Sequence, residues 1–176
     1  MNSPAVRADW AWLDSIAEVS PGERQALARR RFTSNEWYFE HHFPAFPVVP
    51  GVLLIESMAH AAGILQTLRW RARTGQWKNH VLLAVQDAKF YRFVRAEQEL
   101  VMKVELLSDD GAPEVLARCH AFVDDQKVAR SKVTLHTIDT QQFEAGEVGE
   151  DPFGLLRYLH AIVADPLKQR FGLAGC

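Results

Sequence analysis

Two ionisable side chains between residues 42 and 63 have the types and the setting for acid–base chemistry. Glu56 is the only charged side chain between Gly51 and Thr67, and apolar residues surround it in the sequence. A carboxyl group in such surroundings is costly to ionise, so its pKa should rise and it can serve as a general acid near neutral pH. A histidine side chain titrates close to neutrality when unperturbed, so His42 is a candidate base. The pair predicts a proton-transfer site.

A rigid loop and a buried helix are expected to position these groups. Three prolines restrict the loop and deny it regular ladder bonding: Pro44, Pro47 and Pro50. Helix formers and aliphatic residues follow, which predicts a helix from Gly51 to about Arg73 that stops at Thr74-Gly75. The free N–H groups at Gly51 and Val52 point at whatever lies before the helix. The segment therefore predicts a base, an acid and an oxyanion site together.

A metal site is an alternative interpretation of the same segment. The residues His41, His42, Glu56 and His60 include a Glu/His pair one helical turn apart, a spacing that can bind a divalent ion. Adjacent histidines rarely both point inward, which favours the acid–base site. Taken singly, a loop histidine is usually a surface residue, and a lone glutamate in an apolar helix often pairs with a distant Lys or Arg.

The segment resembles a known enzyme family. Residues 42–59 read His-Phe-Pro-x-x-Pro-Val-x-Pro-Gly-Val-Leu-x-x-Glu-x-Met-Ala, a pattern similar to that of the FabZ-type 3-hydroxyacyl-(acyl carrier protein) dehydratases. The segments 12–22 and 87–90 are similar to the flanks of that pattern, and the likeness spans roughly residues 10–137. The resemblance implies an α+β hot-dog fold, in which an antiparallel sheet wraps one long central helix.

The resemblance also implies a reaction and a set of roles. The family removes water from (R)-3-hydroxyacyl thioesters to give trans-2-enoyl thioesters, without a metal ion or an organic cofactor. His42 corresponds to the base, Glu56 to the acid and the Gly51 N–H to the oxyanion donor. Val48 and His60 are expected to contact the substrate.

Three positions depart from the family pattern: Ala45 replaces a usual Gly, His60 a usual Gln, and Phe93 a common Pro. These departures leave the acyl chain length open, and fatty acid, polyketide or aryl polyene synthesis would all fit. A thioesterase, a dehydratase that also isomerises the double bond, and a non-catalytic acyl-binding subunit remain alternatives. A hydrolase would lack an obvious nucleophile and rests on fold analogy alone.

The expected partner is an acyl carrier protein. Such proteins are acidic, so Lys89, Arg92 and Arg95 are candidates for docking, with the arginines at 69, 71 and 73 as a rival patch. Phe90, Tyr91 and Phe93 interleave with the first group. The resemblance further implies a homodimer or a trimer of dimers, in which different protomers contribute the base and the acid of one site.

Composition sets the remaining bounds. The 176 residues suit one domain with a real core, and a net charge of −2 gives no case for nucleic acid binding. The two cysteines, Cys119 and Cys176, form no metal or disulfide pattern, which favours a reducing cytoplasm. The N-terminus has no signal-peptide pattern, and the longest apolar run is too short to predict a membrane span.

The secondary structure predicted from patterns completes the picture. Residues 9–18 predict a short amphipathic helix with Trp10, Leu13 and Ile16 on one face. Residues 24–33 predict a strand whose three consecutive arginines, 29–31, are exposed. Four further strands are predicted at 81–85, 100–107, 115–123 and 128–138, with turns at 109–111 and 124–126. The predicted dehydratase domain covers residues 1–138, and a linker followed by one amphipathic helix at 153–171 forms an extension over 139–176, expected to act as a packing appendage.

Overall fold

One antiparallel sheet wraps a long helix in the computed structural model, which describes residues 12–108, 112–138 and 155–173. The strands are β1 (Ser15–Val19), β2 (Gln25–Arg31), β3 (Asn79–Phe90), β4 (Glu99–Leu106), β5 (Glu114–Val123) and β6 (Gln126–Ile138). Their order in the sheet is β1-β2-β4-β5-β6-β3. Helix α1 (Gly51–Thr74) contacts β2 to β6, and a short 3-10 helix, Trp37–Glu40, precedes the loop at 42–50. The predicted α+β class and central helix are confirmed.

Helix α1 begins and ends where the sequence indicates. Pro50 precedes it with φ −54°, and Gly75 ends it with φ 71°, a left-handed conformation that suits glycine. The Gly75 N–H donates to the carbonyl of Arg71 over 2.9 Å. By length and composition alone, the helix is long and apolar enough to cross a membrane. Its apolar residues are instead accounted for by packing inside the sheet.

Strands β4, β5 and β6 form where the sequence predicts them, and the side chains of β4 alternate between buried and more exposed positions. On β4, the side chains facing the helix are Leu100, Met102, Val104 and Leu106, all buried. Asp124 and Asp125 turn the chain between β5 and β6 with positive φ values of 48° and 59°, which aspartate tolerates better than most residues. The turn expected at 109–111 lies outside the described residues.

The predicted helix at 9–18 is wrong, because residues 15–19 form strand β1. Ile16 and Val19 are both buried, although a regular strand would place them on opposite faces. A register shift between Ile16 and Glu18 inserts an extra residue, so both face inward. Leu13 and Ile16, whose three-residue spacing indicated a helix, are both buried without one. Trp10 lies outside the described residues.

The prediction that all three arginines at 29–31 are exposed is also wrong. Arg30 is only 8% exposed, because strand alternation turns the middle arginine toward the interior. Its guanidinium binds Asp14 at 3.0 Å and Glu36 at 2.5 Å. Arg29 and Arg31 point outward.

The C-terminal segment forms two helices where one was expected. Helix α2 covers Leu155–Ile162 and α3 covers Asp165–Phe171. Between them Val163 makes a bridge with Ile16 of β1, and Pro166 lies in the first turn of α3, so a continuous helix is prevented. The linker at 139–151 lies outside the described residues, and the domain division at residue 138 stays a prediction.

Candidate active site

The loop at 42–48 holds His42 through its own backbone. The Val48 N–H donates to the His42 carbonyl over 2.9 Å, and the His42 Nδ1 lies 3.2 Å from the Val48 carbonyl oxygen. Because a carbonyl can only accept, Nδ1 must carry the proton, which leaves the lone pair of Nε2 free. Val48, an expected substrate contact, is itself buried and orients His42 through its backbone. The half-buried imidazole is therefore arranged as a base.

Aromatic contacts tie this loop to the segment that follows β3. The rings of Phe46 and Phe93 meet edge to face at 5.4 Å, and the Arg95 guanidinium lies 4.4 Å from the centre of the Phe46 ring. The Val49 N–H donates to the Val94 carbonyl over 2.7 Å. Phe93, a departure from the family pattern, thus has a packing role that its sequence position did not reveal.

Glu56 lies in the second turn of α1 and is half-buried. Burial raises the pKa of its carboxyl group, in the direction that its apolar sequence context predicts. Among the described residues, Glu56 forms no ion pair with a Lys or Arg, so the simple structural explanation for a lone helical glutamate does not apply. A carboxyl group that holds its proton more firmly than usual can donate it near neutral pH.

The start of α1 presents unpartnered backbone donors. Pro50 precedes the helix and supplies no side-chain cap. The Leu53 N–H donates to the Pro50 carbonyl over 2.9 Å, so the available donors of the first turn are the N–H groups of Gly51 and Val52. The ring of Phe90 packs against Gly51, where a Cβ atom would come within 3.0 Å of the ring. Gly51 therefore allows close approach of the last residue of β3, a contact that the sequence analysis missed.

His60 faces the C-terminal extension as well as the helix. Its ring meets that of Tyr158 edge to face, with centroids 5.2 Å apart at an interplanar angle of 87°. Burial lowers the pKa of His60 to about 4, so the imidazole is neutral near pH 7. Its Nε2 atom is enclosed and has no hydrogen-bond partner among the described residues. Tyr158 was not anticipated, because nothing in the sequence links residue 158 to residue 60.

His42 and Glu56 of one chain share no hydrogen bond or ion pair within the described residues. His41, part of the alternative metal set, is exposed just after the 3-10 helix. In the described part of the chain, no three His, Cys, Asp or Glu side chains come together in a group that could hold a metal ion. One chain therefore presents a candidate base, a candidate acid and free backbone donors, but the base and the acid do not contact each other through a hydrogen bond or an ion pair.

The expected docking residues lie beside a basic row on the outer face of the sheet. Lys103, His120, Arg130 and Lys89 are opposite one another across β4, β5, β6 and β3. Burial and the neighbouring Lys and Arg charges lower the pKa of His120, as expected in a positive field. Arg92 and Arg95 are exposed just beyond the end of β3.

A separate groove of about 730 Å³ lies on the outer side of the sheet beneath α3. Its walls come from β1, β2, β4, β5 and the first residues of α3, including Leu27, Lys103, Arg118 and Leu167. None of the candidate acid, base or oxyanion residues lines it, so it is not part of the proton-transfer site.

Comparisons with known proteins agree with this fold and motif. The FabA-like domain model matches residues 7–132. The 3-hydroxyacyl-(acyl-carrier-protein) dehydratase FabZ of Pediococcus pentosaceus is 37% identical over 123 residues, covering 70% of this chain and 79% of that protein. FabZ of Enterococcus faecalis is also 37% identical, over 124 residues, covering 69% of this chain and 83% of that protein.

A solved structure extends the likeness to three dimensions. A chain of the dehydratase heterocomplex ApeI:P from Xenorhabdus doucetiae superposes with a TM-score of 0.64 at 14% identity, covering 77% of this chain and 88% of that one. This likeness concerns the fold alone and confirms the predicted hot-dog architecture. From the family model and the identity to the FabZ proteins, we conclude that the chain belongs to the FabA-like family of dehydratases, among the FabZ type.

Proposed function

We propose that this protein dehydrates (R)-3-hydroxyacyl-acyl carrier protein thioesters to trans-2-enoyl thioesters. The observation that carries the proposal is that one chain presents both an oriented His42 and a half-buried Glu56 of raised pKa. The FabZ relatives of this chain are named for the same reaction. The fold by itself would fit several thioester chemistries. The acid–base pair selects dehydration among them.

The chemistry assigns one step to each group. The Nε2 atom of His42 takes a proton from C2 of the acyl chain, and the electron pair left behind is delocalised onto the thioester oxygen. The Gly51 N–H donates a hydrogen bond to that oxygen and stabilises its negative charge. The pair then forms the C2–C3 double bond as the C3–O bond breaks. Glu56 protonates the departing hydroxyl, which leaves as water.

Two substitutions test these roles. His42→Ala and Glu56→Gln should each lower the dehydration rate by about two to four orders of magnitude, because each removes one proton-transfer partner. His41→Ala provides a matched control, since that histidine is adjacent but exposed. Mass spectrometry of products from a panel of 3-hydroxyacyl carrier protein thioesters would measure the rate and identify the preferred chain. Near-normal turnover by either variant would refute the assignment.

The edge strand β3 supports a homodimer. Among the described strands it pairs only with β6, and several of its apolar side chains are exposed: Val81, Leu82, Leu83, Val85 and Phe90. Soluble proteins rarely leave a long apolar edge strand uncovered. We infer that β3 meets β3 of a second copy. This pairing would bring the 42–48 loop of one protomer toward the helix of the other, which fits the lack of direct contact between His42 and Glu56 within one chain.

The basic row supports the proposed docking of an acyl carrier protein at Lys89, Arg92 and Arg95. The row leads across the sheet to Lys89, and the two arginines follow at the end of the same strand. An acidic partner approaching from this side would meet positive charge before reaching the loop at 42–48.

A cytoplasmic location suits the chain, because Cys119 is a buried free thiol.

A further inference from the structure

The C-terminal helix α2 brings one aromatic ring to the helix that carries Glu56. Tyr158 lies beyond residues 7–132, the part of the chain that matches the family model. Its ring packs edge-on against His60, 5.2 Å between centroids. His60 follows Glu56 by four residues, so both side chains project from the same face of α1, with about 5–6 Å between their Cβ atoms.

The residues that follow Tyr158 anchor its helix to the rest of the domain. Leu159 and Ile162 of the same helix are buried. Just after the helix, the Ala164 N–H donates to the Ile16 carbonyl over 3.2 Å, and Val163 bridges Ile16. The extension is thus anchored to β1, and the ring is held over His60 by the fold.

His60 is enclosed but incompletely bonded. Its Nε2 atom has almost no solvent contact and no partner among the described residues. A neutral imidazole carries one N–H donor and one acceptor, and a buried polar atom without a partner destabilises the folded state. The Glu56 carboxyl group, one turn earlier on the same face of α1, makes no hydrogen bond to this atom, but burial shifts the pKa of both groups.

We propose that Tyr158 is a positioning residue for Glu56, acting through His60. Its ring excludes water from the imidazole, one helical turn beyond Glu56, and so keeps the surroundings of that carboxyl group apolar. The extension thereby contributes to the proton donor from outside the family-matched domain. This inference rests on the proposed role of Glu56 as the acid.

The groups around the His60–Tyr158 contact indicate in which direction the pKa values of His60 and Glu56 would change if the ring were removed. Glu56 lies one helical turn before His60 on α1, and Tyr158 packs against His60 from α2, while Arg30 and Asp14 lie close enough to act on the Tyr158 hydroxyl. Tyr158→Ala would admit water. The pKa of His60 should then rise from about 4 toward its ordinary 6.5, and the raised pKa of Glu56 should fall toward its ordinary 4.5.

An NMR titration tests the contact without any enzymatic assay. The His60 imidazole signals, assigned by their loss in His60→Gln, should show no protonation between pH 5 and 8 in the wild type. They should titrate within that range in Tyr158→Ala, and Tyr158→Phe, which keeps the ring, should behave as the wild type does. A His60 that titrates in the wild type, or stays neutral in Tyr158→Ala, would overturn the proposal even if the enzyme is an active dehydratase.

Kinetics then test the link to Glu56. The limb of the kcat/KM profile that requires protonated Glu56 should move to lower pH in Tyr158→Ala, and kcat at neutral pH should fall about tenfold with little change in KM. In a protein that already carries His60→Gln, Tyr158→Ala should lower kcat at most about threefold, since the effects of substitutions at interacting residues are not additive. Arg157→Ala, on the exposed side of α2, is the surface control.

A purely structural role for Tyr158 has a different signature. It would lower the melting temperature and kcat equally in both backgrounds and leave the pH limb in place, and that outcome would refute the proposal. If no variant and no wild-type sample dehydrates any thioester, the proposed function fails, whereas the NMR result still decides whether Tyr158 controls His60.

Discussion

Glu56 is the residue at which folding and the proposed chemistry make opposite demands. Burial disfavours its charged form and raises its pKa, and no Lys or Arg within the described residues pairs with it. A protonated acid is useful for dehydration, but an ionisable group in this place is unfavourable for the folded state whenever the pH forces it to ionise.

Glu56→Gln should therefore stabilise the protein as it inactivates it. The folded carboxyl group has a pKa above its ordinary 4.5, so between these two values the folded state binds more protons than the unfolded state. Wild-type stability should fall as pH rises through this window. The glutamine variant lacks this loss, so its advantage should be absent near pH 4 and fully present at pH 8.

Thermal unfolding of both proteins from pH 4 to 8 would measure the effect. Glu97→Gln is a suitable comparison, because hydrogen bonds from Ser34 lower the pKa of that exposed carboxyl group. Its substitution should not produce a gain at high pH. A Glu56→Gln variant less stable than wild type at pH 8 would contradict the desolvation argument.

Strand β2 is linked to the segment before the 3-10 helix by a buried ion pair. Arg30 and Glu36 have side chains only 10% and 11% exposed, and Asp14 adds a second carboxylate at 3.0 Å. Removing one partner of a buried pair leaves an uncompensated charge. The network therefore stabilises the approach to the 42–48 loop more than an ordinary surface pair would.

Arg30→Met should lower the free energy of unfolding by about 3–5 kcal/mol, because Glu36 would be left buried and unpaired. Arg29→Met is the matched control: the Arg29–Glu99 pair is close, at 2.6 Å, but solvent-exposed, so its loss should amount to about 0–1 kcal/mol. Urea unfolding would compare the two. Adding Glu36→Gln to Arg30→Met should recover part of the loss, and equal effects of the two arginines would argue against a buried network.

If the exposed apolar residues of β3 mark a dimer interface, two protomers are needed to complete one proton-transfer site. The shared-site arrangement makes a direct prediction about mixtures. His42→Ala and Glu56→Gln are each expected to be inactive, but a mixed dimer would contain one site with both native residues.

Mixing the two inactive variants should restore up to about a quarter of wild-type activity per total site, from random pairing of subunits. The measurement is dehydration after subunit exchange, verified by differently tagged protomers that copurify. Mixtures of either variant with itself form the control. Mixed dimers that exchange fully but remain inactive would show that both groups come from one protomer.

The docking surface is also a property of the whole molecule. Arg92→Glu should lower kcat/KM for carrier-protein substrates by about tenfold at low salt, and the loss should shrink as salt is raised, because exposed charges act mainly on association. A small N-acetylcysteamine thioester should react almost as before. Arg73→Glu changes the net charge equally in the rival patch at the far end of α1, and an equal or larger loss there would favour docking at that patch instead.

Arg95 is a less suitable test residue, since its guanidinium packs on Phe46 in the 42–48 loop. Arg95→Glu would alter the loop as well as the charge. If Arg92→Glu impairs both kinds of substrate to the same extent, Arg92 shapes the site and does not serve docking.

The sequence by itself determined the central segment of this protein. The prolines, the Gly51 helix start, the Gly75 stop and the isolated Glu56 are local signals, because backbone restriction and helix capping depend on neighbouring residues. The alternation on β4 is equally local, and the family pattern supplied the roles of His42 and Glu56. These features account for the α+β class and the raised pKa of Glu56.

The tertiary structure decided what depends on residues far apart in the chain. Whether Arg30 is buried depends on which carboxylates fold against it, and the inward turn of both Ile16 and Val19 depends on a bulge that pairing with β2 creates. The contact between His60 and Tyr158 joins positions 98 residues apart (158 − 60 = 98). Such contacts form only when the sheet is assembled, because non-local packing and burial are set by the whole fold and leave no periodic signal in the sequence.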